Sequence, residues 1–399
     1  MKINTVKTLP VIVISLLVLS AGPVCTFGQN TSKLHQKSLL IDTHNDFLSQ
    51  SVEKGYVFDQ SLKGKTHSDL GRMNEAGLDI QIFSVWCDAR PDAFAFANRE
   101  IDTLYAIVNR NPGRMKLIYN PSDLKYVIKK KMHGAMIGVE GGHMIEDDLA
   151  KLDSLYKRGT RYMTLTWNNS TPWASSAMSE TNGTIPQDKK GLSPFGRDVV
   201  KRMNELGMMV DLSHVGEQTF KDAMSVTTKP VIVSHSCAWT LAPVFRNLKD
   251  YQIDAIGKNG GVICINFFSG FVDSNFMKRQ TAFMEIHKAE KDSLLKAGKQ
   301  QFFVEDYLFQ KYPAEVASLR PPLSMLIDHI DYIVKRIGAD HVGLGSDFDG
   351  INSAPQELNG IEDFPKITAV LKQRGYSNKD IKKILGENVA RVFRENQRK

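Results

Sequence analysis

The sequence predicts an α/β protein folded as a (β/α)8 barrel of the TIM type, with a helical insert after the seventh strand. Three observations carry this. Eight short apolar runs are bounded by turn residues, stretches of helical spacing alternate with them, and five of the runs stop at an imidazole or a carboxylate. Alternating strands and helices imply parallel βα units, and continuously apolar strands imply burial on both faces. In such a barrel every strand tip faces the same mouth, where catalytic groups collect.

Taken in order, the runs are 39–42, 80–85, 135–139, 162–166, 208–212, 231–234, 262–266 and 341–345. Helical spacing appears at 94–109, 146–158, 193–206, 217–225 and 250–258. Two segments break the rhythm. Residues 168–191 are rich in Ser, Thr, Asn and Gly and read as a long loop at the barrel mouth; residues 271–322 are rich in Lys, Glu, Gln and aromatics and read as added helices forming a flap, lid or oligomer surface. The last stretch, 377–395, reads as helices, with Ser377 as the cap of the first.

The amino terminus has the layout of a secretory signal of bacterial type. Lys2 and Lys7 precede an apolar run from Leu9 to Leu19, small residues follow, and a cut after Gly28 leaves 29–399 as one catalytic barrel domain. The run is too short for a lasting membrane span. Cys25 follows Pro23 and Val24, where a lipoprotein signal wants small residues, so a soluble periplasmic or secreted protein is expected rather than a lipid-anchored one. Beyond the cut remain Cys87, Cys237 and Cys264, an odd number that argues against a disulfide framework. The formal charge of +7 is spread along the chain and offers no clustered basic face for nucleic acid.

The chemistry lies at the strand ends. His44 and Asp46 form an H-x-D unit after the first run, close enough to serve one metal ion. Glu140, in GVEGGH, has room around it for a carboxylate that bridges two cations. His214 and His235 end consecutive runs and suit a second ion. Asp347, in GLGSDFDG, stands over the pair as the proton-transfer group: a water bridging two zinc ions is substantially hydroxide near neutral pH, and a nearby carboxylate orients it and passes its proton to the leaving amine. Asp349 reads as a turn or supporting acceptor, Asp42 and His143 as groups that orient ligands, and Cys237 as a small buried residue. No G-x-S-x-G, H-E-x-x-H, G-x-x-x-x-G-K-[ST] or G-x-G-x-x-G pattern offers a competing mechanism.

From about Leu39 to Arg394, through DTHND, IGVEGGH, TPWA, VDLSH, VIVSHSCA, FRN, NFFSGF and GLGSDFDG, the chain resembles the zinc dipeptidases typified by renal, or membrane, dipeptidase. The resemblance implies two zinc ions, with His44 and Asp46 on one, His214 and His235 on the other, and Glu140 bridging. It makes Asp347 the acid/base residue and Arg246 the group that holds the substrate's terminal carboxylate. The animal enzymes carry a histidine where Trp167 stands here, in LTWNNSTPWA; an indole supplies one neutral N–H and no proton, which bears on substrate preference and rate. The expected function is that of an exported dipeptidase acting on small dipeptides, with tolerance of a C-terminal D-residue. Family members are commonly dimers, so the resemblance allows a homodimer with the 271–322 segment at its interface. The alternatives are a related metal amidohydrolase acting on another amide or ester, and an exported binding protein without catalysis.

Overall fold

The computed structural model describes residues 31–299 and 301–398, so the leader expected at 1–28 lies outside the described residues. Nine strands are present among them: β1 (Ile41–Asp42), β2 (Ile80–Val85), β3 (Met115–Leu117), β4 (His133–Glu140), β5 (Thr160–Thr164), β6 (Met209–Asp211), β7 (Ile232–Ser236), β8 (Val262–Ile265) and β9 (Val342–Leu344). All pairings are parallel, and eight strands close into a barrel in the order β1, β2, β4, β5, β6, β7, β8, β9 and back to β1. Each of the eight expected runs falls on a barrel strand. The short β3 is an addition to that set: it pairs with the start of β4, Met115 opposite His133 and Leu117 opposite Ala135, below the point where β5 joins at Ile137.

Alternation along the strands divides the core in two. Phe83, Ile137, Met163 and Val233 point outward and pack with the surrounding helices. Ile82, Met136, Tyr162 and Met209 join an interior cluster that also takes Val389, Val392 and Phe393 from the terminal helix Asn388–Asn396, which plugs the end of the barrel opposite the mouth. Gly138 lies in register with Tyr162, and a Cβ there would come within 2.0 Å of the tyrosine ring. The missing side chain therefore makes room for a large one in the barrel interior.

The helices begin and end where their sequences dictate. Pro194–Leu206 starts on Ser193, whose hydroxyl accepts the Gly196 N–H at 3.3 Å, and stops at Gly207, whose φ of 80° suits a residue without Cβ. Ser377 caps Asn378–Lys382 by accepting the Asp380 N–H at 3.1 Å, as expected. Between β8, the seventh barrel strand, and the helix Leu323–Ile337 stand five helices: Ser269–Val272, Phe276–Ile286, Lys288–Lys296, Gln301–Lys311 and Pro313–Leu319. They form the expected insert and have a core of their own in Phe276, Phe283, Leu308 and Phe309. No helix among the described residues is long and apolar enough to cross a membrane. Cys87, Cys237 and Cys264 are buried as free thiols, and burial pushes both Cys87 and Cys237 up to about 12. Cys237 donates to the Asn266 carbonyl at 3.2 Å.

Candidate active site

All the residues singled out at the strand ends meet at one mouth. The two oxygens of Glu140 face different partners: Oε2 is 3.4 Å from His44 Nε2, while Oε1 is 2.8 Å from His214 Nε2 and 3.3 Å from His235 Nε2. His44 Nε2 is also 3.5 Å from Asp46 Oδ2 and 4.0 Å from Asp347 Oδ1. The glutamate reaches the centre because β4 ends on it and the chain then turns at Gly141, whose φ of 109° is a conformation that L side chains rarely adopt. Gly350 keeps the other side clear, since a Cβ there would lie 2.2 Å from Asp46 Oδ2 and 2.9 Å from Asp347 Oδ1.

Each imidazole is fixed through its Nδ1. His44 Nδ1 donates to the Tyr162 hydroxyl at 2.9 Å, and that hydroxyl in turn donates to the Thr43 carbonyl. His214 Nδ1 donates to Asn168 Oδ1 at 3.1 Å. His235 Nδ1 donates to Ser234 Oγ at 2.8 Å, whose own proton goes to Asp211 at 2.6 Å. This network occupies the Nδ1 side of each ring and leaves the three Nε2 atoms aimed inward as the positions available to a metal ion. His214 and His235 Nε2 are only 3.0 Å apart, an arrangement that repels unless a cation lies between them. Buried His44 Nε2 and Asp46 Oδ1 likewise have no hydrogen-bond partner among the described residues. The donor set thus fits metal ions: His44, Glu140 and His235 form one close group, and His44, Asp46 and Asp347 another.

Electrostatics mark the centre as one that draws in positive charge: burial opposes it, but Tyr162, Asp46 and Glu140 raise His44 well above the usual imidazole range. Burial, with a further push from the Arg246 charge, pulls His214 down to about 4 and keeps its ring neutral. Burial opposes ionisation of Glu140, but the charge of His44 and the close approach of the His214 and His235 rings overcome it and hold the carboxyl well below its usual range. Asp347 goes the other way. Burial first, then the charges of Asp46 and Glu140, raise it well above the usual carboxylate range, while Asn266 donates to its Oδ2 at 2.9 Å.

Above the carboxylates opens a cavity of about 720 Å³ whose walls include Trp86, Trp167, Asn168, Arg246 and Phe271. Arg246 is 4 % exposed, and among the described residues no acidic group comes within ion-pair distance of it. Its guanidinium donates to the His235 carbonyl at 3.2 Å and to Ser236 Oγ, lies over the Phe271 ring, and keeps Nε unpartnered. Trp167 packs edge-on against Trp86, ring centres 5.0 Å apart, and 6.4 Å from His214.

The supporting residues differ from the expectation in part. Asp349 does act as a loop acceptor, taking protons from the His67 N–H, the Ser68 hydroxyl and Asn45 Nδ2. Asp42 binds Ser346 and the His44 backbone N–H rather than a ligand ring, and the His143 ring binds the Cys87 carbonyl. The rings of the three candidate ligands are held instead by Tyr162, Asn168 and Ser234, with Asp211 behind Ser234. Of these only Asp211 carried a signal, as a carboxylate inside the apolar run of MMVDLSH.

The membrane dipeptidase model, peptidase family M19, matches residues 28–399. The chain belongs to that family. It is a metallo-dipeptidase, a hydrolase acting on peptide bonds. A curated relative from Schizosaccharomyces pombe, named uncharacterized dipeptidase C965.12, is 31% identical over 394 residues, covering 92% of this chain and 83% of that protein. Among solved structures, the probable dipeptidase PvdM from Pseudomonas aeruginosa superposes with a TM-score of 0.77 at 24% identity, over 94% of this chain and 99% of the other. A metallo peptidase from Rhodobacter sphaeroides, liganded with a phosphinate mimic of the dipeptide L-Ala-D-Ala, gives a TM-score of 0.73 at 22% identity, over 90% of the dipeptidase and 100% of its neighbour. Both structures share the fold of the dipeptidase, a closed parallel barrel with flanking helices.

Proposed function

We propose that this protein is an exported, two-zinc dipeptidase that cleaves free dipeptides, including those with a C-terminal D-residue. The observation that carries the proposal is the division of Glu140 between two ligand sets, Oε2 toward His44 and Oε1 toward His214 and His235. In this reading His44 and Asp46 hold one ion, His214 and His235 the other, and Glu140 bridges. Three imidazoles with carboxylates are a donor set that suits zinc among the divalent metals. Bound there, the ions supply a Lewis acid for the amide carbonyl and an acidified water.

The chain's own groups do the rest. Asp347 orients the attacking water and moves a proton to the leaving amine; its raised affinity for protons and its Asn266 anchor suit that task. Arg246 binds the substrate's terminal carboxylate, a partner its guanidinium lacks among the described residues. Trp167 walls the cavity and offers its indole N–H to the substrate. The bound phosphinate mimic of L-Ala-D-Ala in the Rhodobacter sphaeroides neighbour supports a D-residue at the second position. Export is supported by the basic, then apolar, amino-terminal leader.

The test is hydrolysis of L-L, L-D and D-L dipeptides beside a tripeptide and an N-acylated dipeptide, with chelator and then zinc. Chelator-sensitive, zinc-restored cleavage confined to the free dipeptides is the expected outcome. Cleavage of the blocked substrates alone would overturn it in favour of a broader amidohydrolase.

A further inference from the structure

We infer that the side of the cavity walled by the helical insert is the subsite for the dipeptide's C-terminal side chain, and that it selects one with an apolar stem and a cationic end, as in lysine or arginine. This rests on the reading above, with Arg246 at the substrate carboxylate, and adds the substrate class.

The geometry runs outward from that arginine along a line of rings. The Arg246 guanidinium lies 5.2 Å from the Phe271 ring centre, Phe271 lies 5.0 Å from Phe268, and Phe268 lies 5.8 Å from Phe276 in the insert. Phe271 and Phe268 also line the cavity, together with Met277. A residue whose carboxylate is held at Arg246 therefore has this aromatic side next to its own side chain. One helical turn beyond Phe276, on the same face, stands Gln280, also in the cavity wall.

At that end the polar groups are incomplete. Gln280 is 6 % exposed; its amide donates to Glu305 Oε2 at 3.1 Å, and its carbonyl oxygen has no partner among the described residues. Glu305, likewise in the cavity wall, takes a second amide proton from Gln301 at 2.6 Å. Among the described residues no lysine, arginine or histidine is within ion-pair distance of it. Glu305 is thus a carboxylate held in place by two neutral amides with no counter-charge, beside a buried acceptor with no donor. The other charged groups of the wall outside the metal centre and its loop are Glu53 and Asp88 against Lys54 and Arg246. An ammonium or guanidinium brings several N–H donors and the missing positive charge, while its methylene stem lies against Phe268, Phe271 and Met277. An apolar side chain leaves Gln280 unpaired, and an acidic one meets Glu305 with like charge.

The experiment measures kcat/KM for Ala-Lys, Ala-norleucine and Ala-Glu on the zinc-loaded full chain, and then on Glu305→Gln and Glu305→Lys. Norleucine keeps the stem and lacks the amine. The wild type is expected to prefer Ala-Lys over Ala-norleucine by about tenfold or more, with the difference in KM. Glu305→Gln should bring that ratio close to one, and Glu305→Lys should turn the preference toward Ala-Glu. A wild-type ratio near one, or a ratio untouched by both substitutions, overturns the inference while leaving the dipeptidase reading intact. Failure to cleave any of the three sinks both.

Discussion

A histidine can give a metal only the nitrogen that carries no proton, so the hydrogen bond on its other nitrogen decides whether it is a ligand at all. Here that bond is made by Tyr162 for His44, by Asn168 for His214 and by Ser234 for His235. Tyr162→Phe keeps the ring that fills the space above Gly138 and removes only the hydroxyl. We expect it to weaken divalent-metal affinity by about 10- to 100-fold with little change in the melting temperature of the metal-free protein, measured by competition against a chromogenic chelator. The residues proposed as ligands stand out in the sequence because a charged or imidazole residue is conspicuous at the end of an apolar run. Tyr162 was not, since a tyrosine within a strand carries no mark of where its hydroxyl points. Asn168 and Ser234 are common loop and strand-end residues, and only the folded neighbourhood shows what they hold. Gly350 is similar: its value lies in the space it leaves beside Asp46 and Asp347, which a one-dimensional pattern does not display.

At the scale of the element, the apolar runs were enough to find every barrel strand, because burial on both faces leaves strands with few polar interruptions. Strand β3 escaped for the opposite reason. It is three residues long, and Lys116 and Leu117 are only half-buried, so it lacks both the length and the continuous apolarity that mark the others. The terminal helix Asn388–Asn396 was readable as a helix, but its place at the barrel floor comes from the complementarity of Val389, Val392 and Phe393 to the interior cluster. Phe393 is 2 % exposed. Phe393→Ala should cost about 3–5 kcal/mol in denaturant unfolding, and leave KM for dipeptides unchanged because the floor and the mouth are at opposite ends of the strands. A large change in KM would mean that the floor and the mouth are coupled.

Over the whole molecule, stability should depend on pH through carboxyls that folding buries. Asp79 is raised from the ordinary 3.8 to about 6 by burial, against the opposing hydrogen bond it accepts from the Leu40 N–H at 2.8 Å. Between those two values the unfolded chain has lost this proton and the folded chain keeps it. The contribution is therefore full below about pH 4 and disappears as the pH rises through about 6. Asp79→Asn cannot ionise and still offers an acceptor to Leu40. Urea titrations should show wild type losing about 2–3 kcal/mol relative to this variant between pH 4 and 7; parallel curves would show that Asp79 has its usual acidity in the fold. The same burial that raises the carboxyls has a quieter effect on the thiols. Cys87, Cys237 and Cys264 are each enclosed in the core and unbridged, and the raised proton affinity of Cys87 and Cys237 keeps them as unreactive thiols. For the described residues, then, assembly draws on no oxidant and no disulfide isomerase, and the barrel can form in a reducing cytosol or an oxidising compartment alike.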